Sequence, residues 1–200
     1  MSSAAPTPIA ASFEDPIPDP VADTRRWLER AVIGLNLCPF AKAVHVRGQV
    51  HYATHDGIDP EGLLEALLQE ARALVALDAA ERDTTLLVVA AGLDDFLDFN
   101  DFAGAAEDRM ADEGFEGVLQ LATFHPDFQF GGTAADDITN ATNRAPWPTL
   151  HLLREASVDR AVEAFPDAED IFGRNIETLE KLGADGWAAL GVGRTAGTKP

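Results

Sequence analysis

Two hundred residues, 46% of them hydrophobic, suffice for one globular domain with a sizeable core. Thirty-four acidic against 15 basic residues give a formal charge of −19, a field that repels nucleic-acid phosphates and anionic membrane surfaces and excludes both as partners. The single cysteine, Cys38, allows no intrachain disulfide, and no run of about 18 apolar residues exists to span a bilayer, so a reducing, cytoplasmic setting is expected.

Residues 1–22 hold five of the twelve prolines and almost no core-forming pattern, and read as a disordered N-terminal arm. Asp23 or Thr24 is placed to cap a first helix, whose Trp27, Leu28, Ala31, Val32 and Leu35 recur at helical spacing. "AVHVRGQVHYAT" alternates apolar and polar residues as a half-buried strand does. Asp59-Pro60 then opens a helix with a stripe running from Leu63 through Leu67 and Ala71 to Val75. "TTLLVVAAG" is a near-continuous apolar run, as in a strand covered on both faces. Phe96, Phe99, Phe102, Ala106 and Met110 mark another helix, closed by Gly114, before a third strand in "GVLQLATF". "TLHLLRE" supplies a fourth. Ser157 caps a short helix, Asp167 caps another that Gly183 ends, and 191–200 form a flexible tail.

This alternation predicts one α/β layered domain over 23–190: a small, mainly parallel sheet of about four strands flanked by helices. In such sheets ligands bind beyond the carboxyl ends of the strands. His125 follows the third strand immediately, and an irregular segment runs from it to Pro148. Structureless loops of that length are uncommon in compact domains and are often functional.

The 125–155 segment is dense in hydrogen-bonding groups. Arg144 and Arg154 offer planar forks suited to carboxylate or phosphate; alternatively each pairs with a nearby acid. Asn140 and Asn143 are expected to orient the same ligand, unless they brace a turn, and Asp137 stands beside them. His125 is the candidate general acid or base. His125, His151 and Asp137 are the candidate divalent-metal ligands, although their spacing matches no compact metal motif. Cys38, in "NLCPFA", precedes a proline that suits the first turn of a helix; an N-cap position there lowers the thiol pKa and makes Cys38 a candidate nucleophile, the alternative being an inert buried cysteine. No phosphate-binding glycine loop and no G-x-S-x-G elbow occurs, so a nucleotide cofactor and a serine hydrolase both lose support.

"NLCPFA", "FHPDFQF", "DDITNATNRAPWPTLHLLRE" and "FGRNIETLEKLG" together resemble the bacterial and plant family known as domain of unknown function 1415, from about Trp27 to Trp187. The resemblance implies a single-domain soluble protein and brings no assigned activity. Serine and tyrosine are usual in that pattern where this chain has Ala145 and Trp147, which implies no hydroxyl chemistry at those two positions. From the residues themselves, the expected function is an enzyme acting on a small anionic metabolite. The alternatives are a non-catalytic module binding a small ligand or metal, and a protein-interaction domain.

Overall fold

Asp19, rather than Asp23 or Thr24, starts the first helix: its carboxylate accepts from Ala22 N–H, and Pro20 occupies the first turn, where no N–H is needed. The computed structural model, which describes residues 18–164 and 170–195, places α1 at Pro20–Trp27 and continues it as a π-helical segment, Leu28–Ile33. There follow α2 (Ala41–Val46), β1 (Val50–His55), α3 (Pro60–Ala76), β2 (Thr84–Val89), α4 (Phe96–Asp112), β3 (Leu119–Phe124), a 3-10 segment (Ile138–Asn143), β4 (Thr149–Arg154), α5 (Glu155–Glu163) and α6 (Ile171–Ala189).

Local signals explain most boundaries. Asp59 and Asp95 cap α3 and α4 through their carboxylates, and Gly114 leaves α4 at φ 85°. Gly183, at φ 68°, interrupts α6 where a stop was expected. Other signals were ambiguous. "AVHV" is helical in α2, because six residues of alternation do not separate a strand from one and a half helical turns; β1 begins only after Gly48 turns the chain at φ 71°. Ser157 lies inside α5 and donates to Asp83 instead of capping. Asp167 lies outside the described residues. Pro20–Ala22, expected in the N-terminal arm, belong to α1, and the expected tail is held at 191–195: Arg26 donates to the carbonyls of Gly191 and Gly193, and Val192 is buried.

The sheet order is β1-β2-β4-β3. β1 and β2 are parallel, whereas β4 runs antiparallel to both neighbours. The expected mainly parallel sheet is therefore a mixed one. Helices α3 and α4 carry the chain back across the sheet, so β1, β2 and β3 share a direction. Segment 125–148 makes no such crossing, and β4 must descend from the end at which β3 arrives.

Alternation along the strands divides the sheet into two faces. Leu87, Val89, Leu150 and Leu152 pack against α3 and α4 in the main core. The opposite face presents Val50, Tyr52 and Phe124 to Trp27, Leu28, Ala31 and Val32. Helix α6 docks on the 3-10 segment through Leu179, Leu37 and Ala141, with Asn175 donating to the Leu37 carbonyl. Among the described residues no helix is long and apolar enough to cross a membrane.

Candidate functional site

The polar residues of 125–155 are engaged mainly with the loop that carries them. His125 is fully buried with its ring against Phe96 and Phe99; Nε2 donates to the Leu93 carbonyl at 3.1 Å and Nδ1 accepts from Asp127 N–H at 3.0 Å. Burial pushes its pKa below the ordinary value. Asn140 Oδ1 accepts from Phe130 N–H at 3.0 Å, and its Nδ2 donates to Ala134 O at 2.9 Å. Asn143 donates to Thr123 O, and Arg144 donates to Phe128 O and Ala135 O. Asp137 caps the 3-10 segment, where the Thr139 amide and hydroxyl hold its carboxyl below the usual range. Arg154 gathers the carbonyls of Leu74, in the last turn of α3, and of Leu77 and Arg82 beyond it. A long segment without ladder partners must satisfy its backbone with side chains, and these residues do that.

The expected metal ligands are not brought together. His125 faces α4, whereas His151 lies in register with Leu86 and Ala122 on the opposite face of the sheet. Asp137 stays in its loop. Among the described residues no group of three or more His, Cys, Asp or Glu is arranged to hold a metal.

What the structure does bring together is Cys38, His151 and the edge of Arg154, all bordering one cavity of about 690 Å³. Its origin is geometric. Helices α2 and α5 cross over this face of the sheet but bury no residue, so they roof it without filling it. The floor is formed by Thr84, Leu86, Ala122, His151 and Leu153, in matched register across β2, β4 and β3. Trp27, Val32 and Phe124 add apolar walls, and Arg47 and Arg160 stand exposed among the lining residues.

The hydrogen bonds fix how His151 meets this space. Thr84 Oγ1 lies 2.6 Å from His151 Nε2 and 2.6 Å from the Leu152 carbonyl. A carbonyl only accepts, so the one hydroxyl proton goes to Leu152 and the oxygen must accept from Nε2–H. Nδ1 is then the unprotonated nitrogen, with no partner among the described residues. Burial pushes the ring pKa down to about 4, keeping it neutral.

Phe40, rather than Cys38, takes the N-cap position of α2. Burial pushes the Cys38 pKa up, and this outweighs the Phe40 and Ala41 amides directed at the sulfur. Alkylation should follow: native protein at pH 8 is expected to react with iodoacetamide about tenfold more slowly than unfolded chain. Native labelling faster than unfolded labelling at neutral pH would restore the nucleophile.

Sequence reasoning missed Arg47, Thr84, Leu86, Ala122 and Arg160. Cys38, His151 and Arg154 were named from the sequence, as candidate nucleophile, metal ligand and anion binder, and all three border this cavity.

The model of the family described as protein of unknown function (DUF1415) matches residues 19–189, and the chain belongs to that family. No curated protein and no solved structure matches it.

Proposed function

We propose that this member of the family is a small-molecule-binding domain whose ligand occupies the cavity over β2, β4 and β3, with an apolar body inside and an anionic end toward Arg47 and Arg160. The observation that carries this reading is the cavity itself. Its volume of about 690 Å³ falls within the roughly 300–1,000 Å³ of ligand sites, and like them it is lined mostly by apolar groups with a few polar ones. The small anionic partner read from the sequence is retained, with the arginines relocated. Arg144 is committed to its loop. Arg47 bonds Gln49 through Nε, and Arg160 bonds Ser157 through one Nη, so each keeps further donors for a carboxylate.

An enzymatic role has one specific support, that Cys38 and His151 border the same cavity. The alkylation experiment above bears on it directly.

The binding reading predicts that 8-anilinonaphthalene-1-sulfonate, an apolar aromatic with one anionic group, binds the native protein at 1:1 with enhanced fluorescence. Ala122→Phe, which fills the floor, should weaken binding by roughly tenfold or more while leaving the melting temperature unchanged or raised. Equal binding by wild type and Ala122→Phe sinks the assignment of the ligand to this cavity.

A further inference from the structure

The geometry points to a ligand that carries a neutral hydrogen-bond donor, a hydroxyl or an N–H, which His151 Nδ1 accepts from the cavity floor. This inference rests on the cavity being the ligand site.

Three features carry it. The tautomer is fixed by the main chain: Leu152 O takes the Thr84 proton, and Thr84 Oγ1 in turn takes Nε2–H from the imidazole. The lone pair is therefore on Nδ1, and the ring cannot turn over without breaking that chain. Second, Nδ1 has no partner among the described residues, although His151 borders the cavity. Third, its neighbours are apolar: Leu86 and Ala122 flank it in register, and the Phe124 ring lies 6.0 Å away.

An acceptor in such surroundings discriminates by chemistry. A pure hydrocarbon would dry Nδ1 and leave it unsatisfied. A carboxylate would set its own lone pairs against that of Nδ1, and an ammonium would lose its hydration in an apolar space. A hydroxyl or N–H on an apolar frame satisfies the nitrogen without burying a charge. The same logic orients the ligand, with the neutral donor at the floor and any anionic end near Arg47 and Arg160.

The experiment compares two molecules of the same shape, 2-naphthol and 2-methylnaphthalene, as competitors of bound 8-anilinonaphthalene-1-sulfonate. Wild type should prefer the naphthol. In His151→Phe the naphthol-to-methylnaphthalene affinity ratio should fall about tenfold, the size expected for one hydrogen bond in an apolar site. Thr84→Val, which frees the ring to change tautomer, should lower the ratio while both molecules still bind. As a readout independent of the variants, the ¹⁵N resonance of the unprotonated His151 nitrogen in wild type should move upfield with naphthol and stay in place with methylnaphthalene. The same ratio in wild type and His151→Phe, or a silent ¹⁵N resonance, overturns the inference. So does failure of both naphthalenes to displace the sulfonate, while leaving the cavity reading intact. Failure of the sulfonate itself to bind removes the cavity reading and this inference with it.

Discussion

Asp23→Ala is expected to destabilise the fold by about 3–5 kcal/mol, the range for removing one partner of a buried, hydrogen-bonded charge. The Asp23 side chain is fully buried in the first half of α1. It accepts from Arg26 Nη2 at 2.6 Å, Trp147 Nε1 at 3.1 Å and Thr195 N at 2.9 Å, and also from the Thr195 hydroxyl. One carboxylate thus joins α1, the loop before β4 and the C-terminal segment. Alanine would strand the Trp147 and Thr195 donors, while Arg26, partly exposed, recovers some hydration. The lower half of the range is therefore the closer expectation. For a domain of this size, it corresponds to a fall in melting temperature of roughly 6–15 °C.

Asp23→Asn keeps an acceptor oxygen without the charge and should lose about half as much. Burial pushes the Asp23 pKa up, but the bonds from Thr195, Arg26 and Trp147 outweigh burial and hold it below the ordinary carboxylate value. Its contribution is therefore present above the unfolded pKa and is lost as pH falls through the lower folded one. Urea unfolding of the variants provides the measurement. A loss below about 1 kcal/mol for Asp23→Ala would show that the three segments are held by apolar packing alone.

The elements that were legible in the sequence are those with long, consistent periodicity. Helix α3 has a proline-led start and leucines at helical spacing over 17 residues, and β2 is buried at every position. Helix α2 is six residues long and its pattern fits two structures equally well. The direction of β4 depends on whether segment 125–148 crosses the sheet, which no local pattern encodes. The same limit applies to the site. A concentration of Asn, Arg and Asp in a loop looks alike whether those groups serve a ligand or their own backbone, and Asn140 and Arg144 serve the backbone. The cavity comes from what α2 and α5 leave unfilled, and unfilled space has no letter. His151 was legible as a candidate metal ligand, but its partner Thr84 is 67 positions away, brought beside it only by the register of β2 and β4.

His151 should also impose a pH dependence on stability. In the unfolded chain its imidazole titrates near the ordinary value of 6.5, whereas in the fold burial pushes it down to about 4. Between those values the unfolded state binds a proton that the folded state does not, so stability rises with pH across this window. The effect levels off below about pH 4, where both states are protonated, and above about 6.5, where neither is. The shift corresponds to roughly 3 kcal/mol at full burial, and about 2–3 kcal/mol allowing for water that reaches the ring through the cavity. His51 and His125 also titrate below the ordinary value because of burial, so the wild-type curve contains their contributions too. The difference between wild type and His151→Phe isolates the term: wild type should lose about 2–3 kcal/mol more than the variant between pH 7 and pH 4. Parallel curves would mean that His151 is solvated in the native state and titrates as a surface imidazole. The physical cause of the acid sensitivity also keeps Nδ1 unprotonated at neutral pH, so a ligand donating to Nδ1 should stabilise most near pH 7 and least at pH 4 and below, making the wild-type curve steeper.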